Sequence, residues 1–141
     1  MVQITDLILH SSIIEDIAKQ LAEAVFSADN TERYNRRFTK SANNVPVEAE
    51  GENFRDECTY CLRFTANIEI SGSYSPMSYD SPGLEDIDYV HVKIHTKSAE
   101  MLKCDDQEGT QENVPLSYED IAMIEDNVED ELLNNSDAYG L

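Results

Sequence analysis

Cys58 and Cys61 form a C-x-x-C pair in the run CTYC, and His91, His95 and Cys104 follow downstream. Two chemistries use such a pair. A redox dithiol sits at a helix N-terminus, where one thiol's pKa is lowered. A zinc centre instead brings four thiolate or imidazole ligands onto one ion. Neither fits the surroundings. CTYC leads into an alternating apolar–polar run, and in a regular strand residues i and i+3 point to opposite faces. His91 and His95 would share a strand face but stand about 13 Å apart at ~3.3 Å per residue, too far for one ion. The expectation is a packed Cys58, an edge Cys61 and two solvent-side histidines, with no metal and no cofactor.

Other catalytic patterns are missing from the sequence. It has no Gly-rich phosphate loop, Walker lysine, G-x-S-x-G elbow or H-E-x-x-H pair, and its acidic runs lack the D-x-[DN]-x-[DN]-G calcium loop. An enzyme is not expected.

Charge is the strongest signal. The 141 residues carry a formal −19, and positions 104–141 hold 12 acids and no base, against 17 acids and all 10 bases before them. Such a segment repels phosphate backbones and anionic membranes, so neither nucleic acid nor a membrane is an expected partner. It attracts basic protein surfaces, chiefly by raising association rates, although acidity also serves plain solubility. The one basic cluster is RYNRRFTK, with Arg33, Arg36, Arg37 and Lys40 around Tyr34 and Phe38. It reads as phosphate contacts plus aromatic stacking, or as a strand whose Tyr34 and Phe38 pack inward while the bases pair with the chain's own carboxylates. Three cysteines make no disulfide framework and suit a reducing cytoplasm. The N-terminus shows no basic n-region and carries Asp6 in its apolar run, so no secretory signal is expected.

Two alternating segments position these residues. In Cys58–Ile70 the even positions Tyr60, Leu62, Phe64, Ala66, Ile68 and Ile70 are apolar; in Ile87–Lys97, Val90, Val92 and Ile94 oppose Tyr89, His91, Lys93 and His95. Period-two patterning of this length is half-buried strand. The run Ser71–Asp86 between them, containing GSYSPMSYDSPG, reads as a long turn-rich loop, with Tyr74, Met77 and Tyr79 as contact residues at its tip.

A helix follows Ser12, whose S-x-x-E spacing to Glu15 is a capping box, with Ile14, Ile17 or Ala18, Leu21 and Val25 on its apolar stripe. It ends near Ser27–Asn30, and Val2–His10 suits a preceding helical turn or a short strand. Asn43–Asp56, with a Pro and a Gly, reads as a loop holding at most a short strand at Val45–Ala49. The chain after Lys97 reads as irregular to Asn113. A second helix starts at Ser117, with Asp120 three residues on and Leu116 and Ile121 placed as a hydrophobic staple. Its stripe is Ile121, Ile124, Val128 and Leu132. Glu125, Asp126, Glu129 and Asp130 stand off that stripe as candidate partner-binding carboxylates, with like charges at i, i+4.

The order of a strand ending IEISGSYSP, a Tyr/Ser/Pro link, SPGLEDIDYVHVKI and the acidic LSYEDIAMIEDNVEDEL resembles small phage and prophage proteins of unassigned role, over roughly Asn67–Leu133. Those proteins often have consecutive prolines before the second strand, where this chain has only Pro82. The resemblance implies a strand, Tyr-Pro loop, strand and C-terminal helix, and carries over no functional residue.

The expected architecture is α+β: one domain over 1–141, a small antiparallel sheet with N- and C-terminal helices on one face, and flexible segments near 41–56, 105–113 and 134–141. The expected function is a phage-type binding protein of the host cytoplasm. It engages a basic surface on a host protein, such as a nucleic-acid-binding protein, and nucleic-acid mimicry or inhibition is one form of this. The alternatives are a component of a virion or other assembly, and a zinc or redox protein using Cys58 and Cys61.

Overall fold

A computed structural model describes residues 13–53, 58–75, 84–105 and 109–139. Its elements are α1 (Ile13–Ala28), β1 (Thr31–Tyr34), β2 (Arg37–Asn53), β3 (Cys58–Ser75), β4 (Leu84–Ile94), β5 (Glu100–Asp105), β6 (Thr110–Val114) and α2 (Tyr118–Asn134), with 3-10 turns at Thr96–Ser98 and Ser136–Tyr139. The strands form one antiparallel six-stranded sheet, and the fold is α+β.

Everything pairs around β3. The whole of β2 lies along one side. On the other side β4 pairs with Ala66–Ser75 and β5 with Thr59–Arg63, so the two lie end to end. The His95 N–H donates to Thr65 O (2.9 Å) at the join, and the Thr96–Ser98 turn carries the chain across. The topology is therefore a meander in which β4 and β5 act as one interrupted pass.

The even positions of β3 from Tyr60 to Ile70 are buried, together with Val90, Val92 and Ile94 of β4 and Met101 of β5. Both helices cover this face. α1 contributes Ile13, Ile17, Ala18, Leu21, Ala22 and Val25, and α2 contributes Ile121, Ile124, Val128 and Leu132, all in one apolar cluster. Ile13 rather than Ile14 leads the α1 stripe, since Ile14 is only half-buried. The capping residue expected at Ser12 and the segment Val2–His10 lie outside the described residues. Each large apolar side chain buried here contributes roughly 1.5–3 kcal/mol.

Three sequence expectations are corrected. Asn43–Asn53 is not a loop; it is part of β2. A bulge between Ala42 and Val45, with Asn44 at φ 55, switches the buried set from even positions (Phe38, Ala42) to odd ones (Val45, Val47, Ala49). Alternation read at a fixed register breaks at that point. The Asn44 N–H donates to Asn67 Oδ1 (2.9 Å), so the bulged backbone is satisfied from the neighbouring strand. Ser71–Asp86 is not all turn either: β3 continues to Ser75 and pairs with Leu84–Tyr89, leaving residues 76–83 as the connection. Finally, the stretch after Lys97 forms the β5–β6 hairpin, with Gly109 at φ 67 donating to Asp105 O (2.8 Å).

Among the described residues, the long strands have edges without a strand partner, which would otherwise invite pairing with other chains. Each helix covers one. Beyond its pairing with β1, the outer edge of β2 meets Gln20 of α1: the side-chain amide donates to Glu48 O (2.8 Å) and accepts from Glu48 N–H (3.2 Å), as a neighbouring strand would. Pro46 has the same outward parity as Glu48, so its missing N–H falls on the edge and costs no ladder bond. On the other flank, the Val92 N–H donates to Glu129 Oε2 and the Ile94 N–H to Glu125 Oε2, both at 2.7 Å. The spacings match: four helical residues rise about 6 Å, and two strand residues span about 6.7 Å.

Replacing Glu125 or Glu129 by Ala should therefore cost about 1–3 kcal/mol each, through loss of a charge-assisted bond and a backbone N–H left unpaired. Asp126→Ala and Asp130→Ala, which remove one like charge of an i, i+4 pair, should be neutral or slightly stabilising. Chemical denaturation of the four variants checks the contrast, and equal effects would remove the edge-capping role.

Candidate interaction surface

The start of α2 is fixed by a complete capping box. The Asp120 N–H donates to Ser117 Oγ (3.1 Å), the Ser117 N–H donates to Asp120 Oδ2 (2.9 Å), and Leu116 packs against the core cluster that includes Ile121. With the phase set, the helix presents three stripes. Ile121, Ile124, Val128 and Leu132 go inward, Glu125 and Glu129 reach to β4, and Glu119, Asp126 and Asp130 are exposed. Of the four carboxylates singled out from the sequence, only Asp126 and Asp130 thus face water. Glu129 is also 3.4 Å from His91 Nδ1.

A second acidic feature joins residues far apart in the chain. Where α1, the far end of β2 and the turn after α2 meet, a groove of about 980 Å³ is lined by Glu15, Asp16, Glu23, Glu50 and Glu131, with Lys19 as its only cation among the described residues. Tyr139 closes one side, its hydroxyl donating to Glu131 Oε1 (2.7 Å). Burial pushes this phenol well above the usual tyrosine range, and the hydrogen bond to Glu131 and the charges of Glu131 and Glu15 add to it. The lining offers carboxylates, one ammonium and a phenol held in its neutral form. Its chemistry is attraction of cationic groups.

The basic cluster occupies the opposite end. RYNRRF is a tight β1–β2 hairpin whose turn residues Asn35 (φ 50) and Arg36 (φ 64) both have positive φ. Phe38 is buried, whereas Tyr34 is 79% exposed, so only one of the two aromatics packs inward. Arg37 makes two bonds to Asp88 (2.7 and 2.9 Å), which hold the Asp88 carboxyl below its ordinary range. Tyr74 lies within β3, half-buried beneath Arg33 (5.7 Å from guanidinium carbon to ring centroid), and its N–H donates to Arg36 O (2.8 Å). Met77 and Tyr79 lie outside the described residues.

The cysteine pair is split by the strand. Cys58 is in the core cluster, while Cys61 is buried on the other face, its Sγ 3.8 Å from Glu48 Oε1. Burial raises the Cys61 pKa, with Arg63 opposing and Glu48 and Glu50 adding to the rise. That is the reverse of an activated thiol. Among the described residues no group of three or more His, Cys, Asp or Glu is placed to hold a metal ion. On the same face Arg63 bridges Glu48 (3.4 Å) and Glu100 (3.8 Å), its direct cross-strand neighbours. These half-exposed pairs tie three strands together weakly. They also border a shallower hollow of about 490 Å³ at the Thr96–Ser98 turn.

The groove has no signature in the sequence, because Glu15, Asp16, Glu23, Glu50 and Glu131 are brought together only by packing of α1 on β2 and α2. Glu125 and Glu129 did carry a signal: their i, i+4 spacing is the one that matches alternate N–H groups of a strand. No protein-family model, curated protein or solved structure matches the chain. Among the described residues no helix is long and apolar enough to cross a membrane.

Proposed function

We propose that this protein is a small non-enzymatic binding protein, of the type carried by phages and mobile elements, that engages a basic surface of a host protein in the host cytoplasm. The carrying observation is the layout of charge on the helical layer: the exposed carboxylates Glu119, Asp126 and Asp130 on α2, and a groove with five carboxylates around Lys19. A partner with clustered Lys or Arg gains electrostatic steering from the first and short-range pairing in the second. Nucleic-acid mimicry is the less favoured form of this reading, since Glu125 and Glu129 are committed to the sheet edge and α2 is left with a single exposed acidic row. The resemblance over Asn67–Leu133 supports the provenance.

The test is capture from a bacterial lysate on the immobilised chain at about 0.05 M and about 0.5 M salt, where screening lengths differ several-fold. A partner should be retained at low salt and released at high salt, and Asp126→Lys with Asp130→Lys should weaken its binding about tenfold or more. No captured partner, or one indifferent to both salt and substitution, ends the proposal.

A further inference from the structure

We infer that the β1–β2 hairpin tip is a docking element and that its occupant is the carboxylate-lined groove of a second copy of this chain, giving head-to-tail association. The inference rests on the groove receiving basic groups, as proposed above, and adds a specific ligand for it.

The tip is built as a contact. Two-residue turns with positive φ at both positions favour Asn-Gly, because glycine adopts the left-handed region without steric cost. Here Arg36 takes the second position at φ 64, beside Tyr34 at 79% exposure. Its side chain makes no ion pair among the described residues, unlike that of Arg37. The base of the tip is held by the Tyr74–Arg36 backbone bond, the Arg33–Tyr74 stack and the Arg37–Asp88 fork. Binding by such a rigid tip loses little conformational freedom, and Tyr and Arg are the residue types that dominate binding hot spots.

The complementary surface is on the same molecule but out of its own reach. Arg36 precedes the first residue of β2 and Glu50 lies near its last, so the strand holds tip and groove roughly 40 Å apart at ~3.3 Å per residue. A tip can enter only another copy's groove. The contact is heterologous, a joined pair keeps one free tip and one free groove, and open chains form unless the rotation happens to close a ring. Such chains match the alternative reading of the sequence as an assembly component.

Net charge sets the conditions. Copies at −19 repel each other over long distances. At ~0.15 M salt the screening length is about 8 Å, so repulsion between bodies tens of ångströms apart is largely removed while contacts of a few ångströms persist. Association should be greatest near that ionic strength and weaker at both ~0.01 M and ~1 M.

Sedimentation velocity of the full chain, from micromolar to millimolar concentration at those three salts, tests this. The expected result is a mean mass that rises with concentration at the intermediate salt and passes beyond the dimer. Arg36→Glu, Tyr34→Ser and Glu50→Arg should each lower the association constant about tenfold or more. An equimolar mixture of the Arg36→Glu and Glu50→Arg proteins should regain association, since the intact tip of the Glu50→Arg protein meets the intact groove of the Arg36→Glu protein. A monomer under all conditions, an Arg36→Glu variant that associates like the parent, or a mixture that fails to recover overturns the inference. A tip variant that instead loses binding to a single-stranded oligonucleotide, with the parent monomeric, also overturns it. Arg36→Glu leaves the groove intact, so retained capture of a basic partner by that variant separates failure here from failure of the proposed function.

Discussion

The Gly72→Ala variant is expected to lose the upper half of the β3–β4 pairing. The β3–β4 register shifts at a bulge where Ser71 pairs with Tyr89, Gly72 with Ile87, and Asp88 is extra. A Cβ on residue 72 would lie 2.0 Å from Asp86 O, 2.8 Å from Asp86 C and 2.9 Å from Ile87 Cα. All three are backbone atoms, so no side chain can rotate away. The strands must separate, at the upper end of overpacking costs or beyond, about 3 kcal/mol or more. Because β4 carries Val90, Val92 and Ile94 into the core and anchors Glu125 and Glu129, the damage should spread to α2. Urea denaturation reads the loss of stability, and amide exchange along Leu84–Tyr89 reads where it begins. A variant with parental stability and unchanged exchange would mean that the strands are not in contact there.

Phe64→Ala should be comparably severe. Phe64 is 4% exposed at the middle of β3, opposite Val47. It stands beside Thr65, whose carbonyl accepts from His95 and whose N–H donates to Ser98 Oγ (2.9 Å) where β4 passes to β5. Truncating a buried Phe removes its transfer free energy and leaves a cavity, for a cost of about 3–5 kcal/mol. That is a large share of the ~5–15 kcal/mol that holds a typical domain folded. The denaturation midpoint should fall with the slope unchanged. Thr65→Val, on the opposite face, is the control and should shift the midpoint little.

Legibility in the sequence followed from how local each signal was. α2 could be read to the residue because Ser117, Asp120, Leu116 and Ile121 declare its start within a few positions. The buried face of β3 was equally plain, since nothing interrupts its alternation from Tyr60 to Ile70. β2 was hidden by two features that are harmless only in three dimensions: an Asn-Asn bulge that reverses the parity of burial, and a proline whose missing N–H points to an edge. β6 (TQENV) has no apolar alternation, and its strand character comes from pairing with β5. On the surface, the concentration of acid was legible but its disposition was not. Whether a glutamate faces water or a strand depends on helix phase and on which strand lies beneath, and the groove depends on contacts between distant segments.

The covering of β4 by α2 also has a consequence in time. A chain made from its N-terminus produces β4 well before the helix that shields it, at roughly 5–20 residues per second. For that interval the N–H groups of Val92 and Ile94 are bare, and the sheet can recruit any extended segment nearby. Nascent polypeptides stalled before Glu125 should thus be the sticky species, and chains in which α2 has docked should not.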